Sequence, residues 1–92
     1  RQVMPPSRLA RLDALSAHLG VNVWGKYELE NPTGSFKVRG AYNVLARMTS
    51  DERARGVVAS SAGNHGLGVA YAAHAFGAPA MLYVPANAPQ VK

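Results

Sequence analysis

Leucines at 9, 12, 15 and 19 recur three or four residues apart behind Pro5-Pro6 and Ser7, so the pattern predicts a helix capped by Ser7 and stopped by Gly20. From Val21 the period changes. Val21, Val23 and Tyr27 stand against Asn22 and Lys26, and the run then reaches Glu28 and Glu30, which predicts a strand over 21–29. Asn31-Pro32 and Thr33-Gly34 are turn dipeptides, and behind them Val38, Ala41, Leu45 and Met48 form an apolar stripe of helical period that Ser35 is placed to cap. Residues 49–55 read as a capped polar turn of helix, ended by Gly56 ahead of a short buried strand, Val57-Val58-Ala59. Residues 60–66 lead into a helix reaching about Phe76, and its Gly66, Ala70, Ala73 and Gly77 form a small-residue face suited to close backbone packing. Residues 79–85 read as another buried strand. The order strand, helix, strand, helix, strand predicts an α/β fold with a parallel sheet.

Ninety-two residues without a cysteine allow one small domain or a piece of a larger one, need no disulfide framework and fit a reducing compartment such as the cytoplasm. The chain opens on Arg1 and stops at Lys92 just after the turn-like Ala86-Asn87-Ala88-Pro89, so an excerpt of a longer protein is expected. The net charge of +5, ten bases against five acids, raises the question of a polyanion partner. The bases are scattered from Arg1 to Lys92 with no run and no interleaved aromatic residues, so no nucleic-acid partner is expected. The apolar stretch over 68–85 is broken by His74, Gly77 and Pro79, which argues against a membrane span.

Two stretches carry candidate chemistry. Lys37 falls in the first turn of its helix, where the positive helix end disfavours an ammonium by about 0.3 to 1 kcal/mol. That would favour a neutral, nucleophilic amine of the kind Schiff-base chemistry needs. The alternative is a solvated lysine, as most lysines are. In the second stretch, Ser61 to His65, a strand ends in small residues and turns directly into a helix, offering backbone N–H groups as a cradle for a carboxylate or phosphate. A tight connection in which glycine serves only the turn is an equal alternative. His18 and His74 lack metal-ligand partners, and no metal site is expected. Arg39 is expected to pack or pair, Trp24 to pack in its strand, and Tyr27, Tyr42 and Tyr71 to sit at apolar boundaries. A dinucleotide site is excluded, because Gly63, Gly66 and Gly68 are misspaced for it and no acid follows Glu52 to hold a ribose.

Pro32-Thr33-Gly34-Ser35-Phe36-Lys37-Val38-Arg39-Gly40-Ala41, followed by Ser61-Ala62-Gly63-Asn64-His65-Gly66, resembles the fold-type II pyridoxal-phosphate enzymes, and threonine/serine dehydratases in particular. The likeness runs through nearly the whole chain from Ser7. It implies a three-layer α/β fold with a mostly parallel sheet, in which 1–55 belong to the large cofactor-binding domain and 56–92 begin the smaller one. It also implies that Lys37 holds pyridoxal phosphate as an aldimine, with Phe36 against the cofactor and Asn64 bonded to the ring hydroxyl oxygen. Ser61, Ala62, Gly63, Asn64 and His65 would then bind the substrate carboxylate. The implied reaction converts L-threonine or L-serine to a 2-oxo acid and ammonia, in a homo-oligomeric parent. Serine racemases, threonine synthases and diaminopropionate ammonia-lyases share both motifs. Ala62, however, stands where racemases of this type carry a second serine. Arg1-Gln2-Val3-Met4 departs from the run usual at that edge, and the glycine-rich phosphate loop of the family would lie downstream. A small basic interaction domain with inherited, silent motifs is the alternative outside enzymology.

Overall fold

The computed structural model describes residues 4–88. Its first unit is a short antiparallel ribbon, β1 (Leu9–Arg11) against β2 (Trp24–Lys26), joined by helix α1 (Asp13–Leu19). The leucine period therefore overshoots at its start: Leu9 lies in a strand opposite Lys26, and the helix begins only at Asp13. The reason is backbone pairing, which gives residues 9–11 a ladder partner that a one-turn helical extension would forfeit. Ser7 is not a cap and instead donates its hydroxyl to Glu28. Gly20 ends α1 in the left-handed conformation, as expected. The strand predicted over 21–29 shrinks to three residues, because the chain coils into 3-10 turns at Glu28–Glu30 and Pro32–Gly34. Trp24 does not pack inward, and 58% of it is exposed.

The second unit holds the core. Helix α2 (Lys37–Arg47) buries Val38, Ala41, Tyr42 and Leu45, close to the predicted stripe, with Tyr42 an inward residue and not a boundary one. Its ring meets Phe76 at 4.9 Å between centroids. Helix α3 (Ser50–Arg55) starts with a reciprocal capping box between Thr49 and Glu52. Strand β3 (Val57–Ser60), helix α4 (Asn64–Phe76) and strand β4 (Ala80–Tyr83) form a parallel β-α-β unit, with Val57 opposite Ala80 and Ser60 opposite Tyr83. The parallel sheet predicted from element order is thus present only at β3–β4. The other pair is antiparallel and separate.

Val57, Ala59 and Leu82 pack onto the α2/α4 cluster, while Val58, Met81 and Tyr83 on the opposite face are exposed, Val58 by 71%. The described residues thereby supply two of the three expected layers. A radius of gyration of 16.6 Å and extents of 52 × 38 × 14 Å describe a thin slab. A compact chain of this length would have a radius near 12 Å.

The small-residue face of α4 lies slightly round from the predicted one: Gly66, Gly68, Val69, Ala72 and Ala73 are buried, whereas Ala70 is exposed and Gly77 is the cap. Gly68 is the closest approach. A Cβ there would stand 3.0 Å from the Val38 amide nitrogen and 3.1 Å from the Lys37 carbonyl, both backbone atoms on a buried helix turn. Alanine would add about 1 kcal/mol of helix propensity, and overpacking would remove about 1 to 3 kcal/mol. Gly68→Ala in the full-length protein is therefore expected to lower stability by about 1 kcal/mol, read as a lower denaturant midpoint at constant slope.

Candidate functional site

Two clefts open at the two motifs. The first, about 440 Å³, is lined by Phe36 and Lys37, by Gly40, Val44 and their neighbours on α2, by Val57, Val58 and Ala59 of β3, and by His65 of α4. The second, about 480 Å³, is lined by Ser61, Ala62 and Gly63, by Gly66, Leu67 and Ala70 of α4, and by residues after β4. Lys37, Phe36 and His65 therefore share one opening. Ser61, Ala62 and Gly63 line the other, and Asn64 stands exposed at the start of α4 between them.

The first cleft has an amine at its mouth and mostly hydrocarbon on its walls. Lys37 is exposed, and its Nζ lies 5.7 Å from the centroid of the Phe36 ring, which is 61% exposed. Gly40 lies within α2, and a Cβ there would meet nothing within 4 Å. A glycine inside a helix costs about 1 kcal/mol relative to alanine, and here the only thing it provides is room at the cleft wall.

Ser61 uses its side chain locally. Its Oγ accepts from the Gly63 amide at 3.1 Å and the Gly66 amide at 3.0 Å, and its own N–H donates to the Tyr83 carbonyl at 3.0 Å. The hydroxyl thus occupies one of the donors expected to serve an anion, the Gly63 amide, and also the Gly66 amide beyond them. The amides of Ala62, Asn64 and His65 make no such bond to it.

The loop before Lys37 is held by a polar cluster centred on Glu28, a residue the sequence reading passed over. The Glu28 carboxylate accepts from the Ser7 hydroxyl, from Asn31 Nδ2 at 2.6 Å and from Arg39 Nε at 2.7 Å. Arg39 Nη2 also donates to the Pro5 carbonyl and to Asn31 Oδ1, both at 2.9 Å. Asn31 Nδ2 reaches the Ser35 carbonyl at 3.2 Å, and Ser35 Oγ accepts from the Lys37 amide at 3.3 Å. Arg39 accordingly pairs structurally, as expected, whereas the N-cap of α2 is Phe36 and not Ser35, which precedes the cap and accepts only from the Lys37 amide. Thr33, inside this loop, has φ 70° and ψ −3°, a left-handed conformation costly for a β-branched residue. Its hydroxyl oxygen is buried without a partner among the described residues.

The donors from Ser7, then Arg39 and Asn31 hold the Glu28 carboxyl at about 2, below its ordinary 4.5. His18 and His74 are exposed, and no group of His, Cys, Asp or Glu among the described residues could hold a metal ion. No helix among them is long and apolar enough to cross a membrane.

The α/β frame thus opens an apolar cleft beside a lysine at a helix start. The family model described as "Pyridoxal-phosphate dependent enzyme" matches residues 1–92, and the chain belongs to that family. It is 48% identical over its whole length to "L-threonine ammonia-lyase" of Thermotoga maritima, of which it covers 23%. It superposes on the processed form of threonine deaminase isoform 2 from Solanum lycopersicum with a TM-score of 0.87 at 39% identity, covering 97% of this chain and 24% of that one. On a serine racemase from Dictyostelium discoideum the TM-score is also 0.87, at 32% identity, covering 96% of this chain and 29% of that one. The chain thus spans about a quarter of the length of these proteins.

Pyridoxal phosphate is compatible with the first cleft: Lys37 offers the amine, Phe36 and the β3 side chains offer apolar walls, and Gly40 leaves space.

Because the folded carboxyl of Glu28 titrates lower than the unfolded one, the native state binds fewer protons between about 2 and 4.5. Its stabilising contribution is complete above 4.5 and fades as the pH falls toward 2. The melting-temperature gap between the full-length protein and its Glu28→Gln variant is expected to be widest above pH 4.5 and to close on acidification toward 2, followed by thermal scans across that range.

Proposed function

We propose that the protein carrying this chain is a pyridoxal-phosphate-dependent lyase that deaminates L-threonine or L-serine to 2-oxobutanoate or pyruvate and ammonia. The observation that carries this reading is the shared opening of Lys37, Phe36 and His65 beside β3, in a chain 48% identical to a threonine ammonia-lyase. When bound at Lys37, the cofactor supplies an electron sink for the pair left at the substrate Cα. Once the substrate amine has taken its place on that group, the freed Lys37 amine would be the base that takes the Cα proton. Phe36 and the β3 side chains would give the bound group apolar walls. The amides of Ala62, Asn64 and His65 hold the substrate carboxylate, Asn64 bonds the cofactor's ring hydroxyl oxygen, and Ser61 and Gly63 shape the loop that presents these groups. The β-hydroxyl would leave as water with the proton that Lys37 had taken, and the released enamine would be hydrolysed by a water molecule to the oxo acid and ammonia.

The choice of elimination over racemisation rests on Ala62. Inverting the Cα requires a proton donor on the face opposite Lys37, and a methyl group cannot deliver one. On this reading residues 1–55 belong to the large domain and 56–92 open the smaller one, with α2 packed across that division onto α4. The enzyme works in the cytoplasm as a homo-oligomer.

Two outcomes test the proposal. Borohydride reduction of the full-length holoprotein followed by peptide mapping should place the cofactor on Lys37, and a label on Lys26 or Lys92 would refute the assignment. With L-serine, pyruvate and ammonia should appear in step with little D-serine by chiral chromatography. D-serine outrunning pyruvate would make the protein a racemase.

A further inference from the structure

Glu28 lies in neither cleft, yet two of the three partners of its carboxylate, Asn31 and Arg39, flank the segment that leads to Lys37, and the third is Ser7. One arm runs through Asn31 to the Ser35 carbonyl, and Ser35 Oγ in turn takes the Lys37 amide. The other runs through Arg39, two residues past Lys37, which also ties down the Pro5 carbonyl and Asn31 Oδ1. Between the arms Thr33 is in a conformation a β-branched residue would not choose, φ 70°, ahead of Gly34 at 79°, which a glycine adopts freely. Residues held in such wells stay there only where the surroundings over-determine them. Here the surroundings include one carboxylate and three donors, from residues 7, 31 and 39, together with the packing of the turn against α4. The Arg8–Glu30 pair close by offers a built-in contrast, since it is a surface ion pair at 2.7 Å with no bond to the loop.

We infer that Glu28 is the positioning residue of the site: through Asn31 and Arg39 it fixes the strained 31–35 turn, and so the direction in which the first turn of α2 presents the Lys37 amine. A neutral amide replaces it only in part: a glutamine oxygen can still accept from Asn31 and Arg39 and its Nε2 can donate to the Ser7 hydroxyl, but the negative charge that strengthens the Arg39 bond is gone. This inference rests on the proposed role of Lys37.

The test uses the full-length protein stripped of cofactor, with pyridoxal phosphate itself as the probe. Lys37 capture is followed by borohydride quenching at timed intervals and peptide mapping, alongside kcat and KM for L-threonine and the thermal midpoint. In Glu28→Gln the capture rate at Lys37 and kcat should both fall about tenfold or more, as expected when a reacting group is displaced by a fraction of an ångström to an ångström. KM should move far less, and Glu30→Gln should leave capture and kcat within about twofold, as befits a surface pair. Where Glu28→Gln folds poorly, Asn31→Ala removes the Asn31 arm and one of the bonds made by Arg39 but leaves the Glu28–Arg39 pair, and it should slow capture in the same direction. Equal capture rates in wild type and both variants would overturn the inference. So would a fall in thermal midpoint with capture and kcat unchanged. Absence of Lys37 capture in the wild type would instead refute the proposed function and leave the positioning question without an object.

Discussion

The two chemical motifs, more than twenty residues apart in sequence, depend on one close contact: Gly68 of α4 lying against the backbone of Lys37 and Val38. With no side chain at that point the helices approach until their first turns stand side by side. Val38 is then wholly buried, and His65 comes to share an opening with Lys37. The same contact fixes β3, because α4 starts where β3 ends and the strand's inner residues Val57 and Ala59 seat on the α2/α4 cluster. Close packing of this kind has little slack, so a displacement at Gly68 is felt at both motifs together.

Much of the second unit was legible in the sequence. The α2 stripe, the Thr49 capping box and the β-α-β order all follow from spacing and turn chemistry within a dozen residues. The first unit was less so. Leu9 fits a helical period with Leu12 and Leu15, but its backbone pairs with Lys26, a partner no local pattern reveals. Trp24 and Val58 look like core residues, yet their sides of the ribbon and sheet are uncovered in the described residues.

The candidate site divides along the same line. Lys37 and the Ser61 to His65 loop announce themselves by residue type at a helix start. Glu28 does not, since its role is created by an arginine eleven positions on and a serine twenty-one positions back. An acid before a turn and an arginine after a lysine are common enough that only the fold could match them. Ser61 is the reverse case: its type suggested ligand binding, and its oxygen bonds the loop's own amides.

The left-handed turn at Thr33 bears on how this sequence can change. Glycine or asparagine would sit there more comfortably, and removing the buried, unpartnered hydroxyl would relieve a second cost. Selection for robustness alone would therefore drift away from threonine at this position. Under the role proposed for Lys37, thermodynamic comfort at Thr33 and the aim of that amine would pull in opposite directions, and laboratory evolution toward heat resistance would be drawn to substitutions here that harden the fold while blunting the site.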